Sequence, residues 1–128
     1  MSQAQHQPVS GFNTFKLSAP IQRAIAAAGF VEPRPVQMQT VPAALEGRDI
    51  LGLAQTGTGK TAAYALPVLE RLATSQSAAP RALVVTPTRE LAAQVAEEIR
   101  RLARFTRVRV ATLFGGVSAR SQVTELRR

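Results

Sequence analysis

The chain contains no cysteine, which excludes disulfides, thiolate metal sites and a cysteine nucleophile. It has no tryptophan, and aromatic residues make up only 5% of it. Alanine and leucine must therefore do most of the packing. The single histidine, His6, lies in a polar N-terminal stretch, which leaves no basis for a histidine-based triad or a zinc site. No apolar run approaches the ~20 residues a helix needs to cross a bilayer, and residues 1–11 lack the apolar core of a signal peptide. A cytoplasmic protein with no membrane partner is the expectation. Aspartate occurs only at Asp49, and lysine only at Lys16 and Lys60.

What is present fits one compact domain: 128 residues, 45% of them hydrophobic. The formal net charge is +8, and arginine carries nearly all of the excess. Such a balance raises the odds of a polyanionic partner, nucleic acid above all. Charges spread over solvated faces would give the same composition.

Along the chain, residues 1–11 read as a disordered leader and residues 12–46 as a helical region. Ser18 can cap a helix whose first turn holds Pro20; Ile21, Ala24, Ile25 and Ala28 share one face, and Gly29 stops it. Pro35 starts a second short helix and Pro42 a third. The period then changes. Residues 49–54, 82–86 and 108–114 are short apolar runs that read as strands, and Leu83, Val84 and Val85 are continuous, as in a strand buried on both faces. Helices are expected from Lys60 to about Thr74, from Thr88 to about Phe105, and over residues 118–127. This βαβαβ alternation predicts an α/β fold, a parallel sheet with right-handed crossovers and helices on both faces.

Between the first strand and its helix stands Ala54-Gln55-Thr56-Gly57-Thr58-Gly59-Lys60-Thr61. Glycines here let the backbone wrap an anion, and their N–H groups with the helix N-terminus form a concave phosphate site. Lys60 would reach the β- and γ-phosphates and the Thr61 hydroxyl would ligate Mg²⁺. By average residue usage, a chance match in a chain this long arises about one time in a hundred.

Upstream lies Gly29-Phe30-Val31-Glu32-Pro33-Arg34-Pro35-Val36-Gln37, preceded by Phe12; downstream lie Pro87-Thr88-Arg89-Glu90-Leu91-Ala92 and Gly115-Gly116. Together with the phosphate loop, these resemble the ordered motifs of the DEAD-box ATP-dependent RNA helicases. The resemblance runs from Phe12 to the C-terminus. It implies a RecA-like P-loop NTPase domain over residues 47–128, incomplete because it stops before the D-E-A-D strand. ATP and Mg²⁺ are the implied cofactors and RNA is the implied partner.

The resemblance assigns Gln37 to adenine, which an amide can read at N6 and N7, and Phe12 to stacking on the base. Lys60 and Thr61 become the catalytic pair, within a nucleotide site of residues 54–61. Pro87, Thr88, Arg89, Gly115 and Gly116 would contact the RNA backbone, where a strand end meets a helix N-terminus. Each residue has a plainer reading: Gln37 a surface glutamine, Phe12 a core anchor, Thr88 an ordinary cap, Arg89 a solvated cation, the glycines a strand end. One departure stands out. Arg34 takes a position that is usually Thr or Ser, and a guanidinium cannot accept a capping hydrogen bond. A weaker start to the helix is expected, and tighter adenine binding on Arg34→Thr. Arg100, Arg101, Arg104, Arg107 and Arg109 read as a solvated face at a helix C-terminus.

Hydrolysis needs a carboxylate behind the metal and a group to position water, and Asp49 enters the loop strand from the wrong end. Two functions follow. One is an RNA-stimulated ATPase, a hydrolase of acid anhydrides that separates short duplexes. The other is a non-catalytic piece that binds nucleotide and RNA. With strand neighbours missing, self-association or marginal stability is expected.

Overall fold

The computed structural model describes residues 11–128. The expected leader, Gly11 apart, and His6 lie outside the described residues. A 3-10 turn, Gly11–Thr14, leads into five helices: α1 (Ala19–Ala27), α2 (Pro35–Leu45), α3 (Lys60–Ala73), α4 (Arg89–Ala103) and α5 (Ala119–Leu126).

The centre is α3, which packs against α1, α2 and α4. Ala62, Ala63 and Ala65 let neighbouring helices come close, and Leu66 and Leu69 fill the space between them. Ile21, Ile25, Val41 and Leu102 complete this core. Full burial of each large aliphatic side chain contributes ~1.5–3 kcal/mol. Phe12 joins the same cluster, edge-on to Phe15 and Phe30 with ring centroids 5.8 Å apart in both pairs.

Polar contacts fix the ends of α1. Ser18 does not cap through its own hydroxyl. Its N–H and Oγ–H both donate to Glu70 Oε2 of α3, each at 2.9 Å. At the other end, Arg101 Nη2 of α4 donates to the Ala28 carbonyl at 3.3 Å, which meets one of the helix's last free acceptors. The three elements are thereby tied by side chains far apart in sequence.

Two more expectations are not met among the described residues. Residues 35–45 form one helix with Pro42 inside it, not two. Proline reads equally well as a first-turn residue and as an interior residue that forfeits one rung. The second concerns the sheet. Among the described residues no strand forms: residues 49–54, 82–86 and 108–114 take no ladder, and no backbone hydrogen bonds join them. Leu51, Leu53, Leu83 and Val85 are more than four-fifths exposed, so the run at 83–85 is not covered on both faces. Apolar continuity reports that a segment wants burial, not which neighbour supplies it. A parallel ladder needs an adjacent strand in register, and none of these three segments offers that to another. The helical layer is therefore in place, and the parallel sheet is not.

Candidate functional site

The loop of residues 54–59 turns into α3 through two glycines in the left-handed region, Gly57 at φ +79° and Gly59 at φ +88°. Gly59 is the N-cap of α3. A Cβ there would sit 2.6 Å from Gln37 Nε2 and 3.2 Å from Arg34 Cδ. Both the conformation and the space therefore demand glycine. Within the loop, Thr58 Oγ1 donates to the Gln55 carbonyl at 2.6 Å. Lys60 Nζ donates to the Ala54 carbonyl at 2.6 Å, so the ammonium folds back across the loop. Gln55, Thr56, Gly57 and Lys60 are exposed, and Thr61 is half-buried in the first turn of α3. The eight residues of the motif thus form one turn that runs into the first turn of α3.

Gln37 lies beneath this turn and is fully buried. Its Oε1 accepts from the Arg34 N–H at 2.9 Å, and its Nε2 donates to the Gly59 carbonyl at 3.2 Å. Half of a capping box forms this way. The guanidinium of Arg34 has no acceptor to return the other half, and the Gln37 N–H bonds instead to the Arg34 carbonyl at 2.9 Å. The start of α2 thus forms without a hydroxyl at position 34, with the N–H groups of Gln37 and Met38 both donating to the Arg34 carbonyl. The Arg34 side chain goes to the loop itself, where Nη1 donates to the Gly57 carbonyl at 3.1 Å. Phe12, assigned by resemblance to the base, is 4% exposed and packed among phenylalanines.

A cleft of about 890 Å³ runs from this turn to the start of α4. Arg34, Gly57, Lys60, Thr61, Pro87 and Glu98 are among the residues on its walls. Burial holds the half-buried Glu98 carboxyl above the usual carboxylate range, with Arg101 opposing the shift. Among the described residues no cluster of acidic or histidine side chains could hold a metal ion by itself. Thr56, Thr58 and Thr61 bring hydroxyl oxygens to the turn, and a single hydroxyl suits Mg²⁺ only as one ligand beside phosphate oxygens and water.

Thr88 caps α4, its Oγ1 accepting from the Leu91 N–H at 3.2 Å, with Glu90 in the favourable first turn. Arg89 extends toward the next motif. Its guanidinium carbon lies 5.3 Å from the centroid of the Phe114 ring, a cation–π distance. Phe114 leads directly into Gly115 and Gly116, the latter at φ +74°. Gln122 of α5 clamps this turn, with Oε1 accepting from the Phe114 N–H at 2.9 Å and Nε2 donating to its carbonyl at 3.1 Å. Arg89 thus lies beside the residue that precedes Gly115 and Gly116. The sequence pointed to neither Phe114 nor Gln122. Each depends on contacts between segments that no local spacing encodes.

In the arginine cluster, Arg100 Nη2 donates to the Val110 carbonyl at 3.1 Å, and the Arg104 guanidinium carbon lies 4.9 Å from the Phe105 ring centroid. Arg109 bonds to the Arg128 carbonyl.

Residues 34–128 match the family model described as DEAD/DEAH box helicase. The chain is 51% identical over 116 residues to the DEAD-box ATP-dependent RNA helicase CshA of Streptococcus pneumoniae, covering 91% of this chain and 22% of that protein. It is 44% identical over 119 residues to the DEAD-box ATP-dependent RNA helicase RhpA of Helicobacter pylori, covering 93% of this chain and 23% of that one. Among solved structures, a DEAD box protein from the hyperthermophile Methanococcus jannaschii superposes with a TM-score of 0.82 at 37% identity, covering 91% of this chain and 32% of that one. The RNA helicase Prp28 from Chaetomium thermophilum bound to ADP gives 0.77 at 37% identity, covering 87% and 28%. The chain thus spans less than a quarter of the length of these two curated relatives.

Proposed function

Because the chain belongs to the DEAD/DEAH box helicase family, we propose that its glycine turn binds the polyphosphate of ATP for an ATPase that acts on RNA. One observation carries this reading. Gly57, Gly59, Lys60 and Thr61 meet at an exposed helix start where side chains at 59 are sterically excluded. Backbone N–H groups there supply donors to an anion, and Lys60 leaves the Ala54 carbonyl to pair with phosphate charge. Mg²⁺, when bound with the nucleotide, would neutralise phosphate charge, and the Thr61 hydroxyl is the protein group placed to ligate it. Gln37 Nε2 carries two N–H groups, so it can hold the Gly59 carbonyl and still donate to adenine, which links base reading to the loop.

RNA binds in this proposal across the surface that joins Pro87, Thr88 and Arg89 to Gly115 and Gly116. Backbone contacts there would be indifferent to sequence. Residues 49–54, 82–86 and 108–114 are proposed as strands of a RecA-like parallel sheet that gains its ladder with further strands. Residues 12–46 form the helical preface to that domain. No helix among the described residues is long and apolar enough to cross a membrane, and a cytoplasmic setting is part of the proposal.

A second reading has its own support. Asp49 is the only aspartate, and Glu98 is the one acid among the described residues that line the cleft, which favours a nucleotide- and RNA-binding role without turnover. Phosphate release measured with and without RNA separates the two readings. For binding itself, Lys60→Ala should weaken ATP by about 10- to 100-fold in calorimetric titration, the range for losing a charged hydrogen bond. Unchanged affinity would remove Lys60 from the site.

A further inference from the structure

Arg34 is bound to the phosphate turn and not to the start of its own helix. Its Nη1 donates to the Gly57 carbonyl at 3.1 Å, while Gln37 in the first turn of α2 holds the Gly59 carbonyl at 3.2 Å. Two alternate peptide groups of the turn are therefore gripped from one side. None of these peptides is cis. In a trans peptide the carbonyl and the following N–H point in opposite directions. Holding the carbonyls of 57 and 59 toward α2 accordingly turns the N–H groups of Thr58 and Lys60 away from it.

We propose that Arg34 is a positioning residue for the phosphate site, a latch that presets the Thr58 N–H to donate to the nucleotide's phosphates. The inference rests on the nucleotide reading above and deepens it. A threonine or serine at this position could cap α2 but is too short to span from α2 to the Gly57 carbonyl. The latch thus replaces a helix-capping role with a loop-fastening one. It also reverses the expectation drawn from the sequence. Arg34→Thr should weaken ATP binding, because the α2 start is already satisfied by backbone groups and Gln37.

The test titrates ATP and, separately, inorganic tripolyphosphate into the wild-type chain and into Arg34→Thr, Arg34→Met and Arg34→Lys. A latch on the loop acts on phosphate binding whatever base is attached. Arg34→Thr and Arg34→Met should weaken both ligands by about threefold to tenfold, a modest loss because the side chain is exposed. Arg34→Lys, which keeps a cationic donor, should recover part of it. Thermal midpoints should match across the four proteins, since the guanidinium supports no core contact. Loss of ATP affinity with tripolyphosphate unaffected would place the effect at the base and overturn the latch. So would equal affinities in all four. A wild-type chain that binds neither ligand overturns the nucleotide reading itself, and the latch with it.

Discussion

Gly59 is the residue with the least freedom in the site. Its φ of +88° excludes other residues, and any Cβ meets the Gln37 amide at 2.6 Å. Relief requires Gln37 to retreat into a core where it is fully buried. Gly59→Ala should therefore weaken ATP binding by about 10- to 100-fold, in line with the 1–3 kcal/mol typical of a strained backbone position. The same titration of Gly52→Ala, where a Cβ meets nothing within 4 Å, serves as the control and should show little change. At this scale the sequence was most informative for the loop. Lys60, Thr61 and the two glycines are contiguous, so their chemistry is written in local order. Arg34 was legible as an oddity but not as a contact, because its partner is 23 residues away. Phe12 was read from its neighbourhood in the chain, and the geometry puts its ring in the helical core.

Among the elements, α4 joins the site to the core, and two of its groups can be tested apart from nucleotide. Burial raises the Glu98 carboxyl, so folding disfavours its charged form relative to the unfolded chain. A group raised on folding stabilises most fully below its unfolded value, and that contribution fades as pH climbs through the folded value. Glu98→Gln removes the charge without changing shape. It should raise the thermal midpoint at pH 7 and leave it nearly unchanged well below the ordinary carboxylate range. A midpoint lowered by the same amount at both pH values would show a packing role instead.

The arginines toward the end of α4 make the complementary case. Arg100 and Arg101 bond to carbonyls of neighbouring segments, and Arg104 lies against Phe105. Their charge is used within the fold. Arg104→Glu should leave the salt dependence of RNA binding flat relative to wild type, whereas Arg89→Glu should lower the slope by roughly one phosphate contact. A reduced slope for Arg104→Glu would put the RNA surface at this end of α4. Helix positions were legible because caps, prolines and apolar periods are local signals. Pairing between extended segments is not local, and the expected sheet has no ladder among the described residues.

On the scale of the whole molecule, the helical layer is packed and the extended segments are bare. Leu51, Leu53, Leu83 and Val85 present apolar side chains to solvent, and the backbone groups of the same segments carry no ladder. Unpaired extended edges with apolar faces favour association. The chain is expected to self-associate as its concentration rises and to unfold with a transition that depends on concentration. Leu53→Lys together with Leu83→Lys should shift sedimentation toward the monomer. A monomer at every concentration, with a sharp reversible transition, would show that these surfaces are covered in solution.

Uptake of a polyphosphate by residues 57–61 underlies both the nucleotide site and the Arg34 latch. The direct measurement is to follow backbone amide resonances of this chain as ATP and Mg²⁺ are added. The amides of Gly57, Thr58, Gly59, Lys60 and Thr61 should move together and saturably, at a ligand concentration that Lys60→Ala raises. Resonances of the turn that stay fixed while those of the arginines toward the end of α4 move would contradict it.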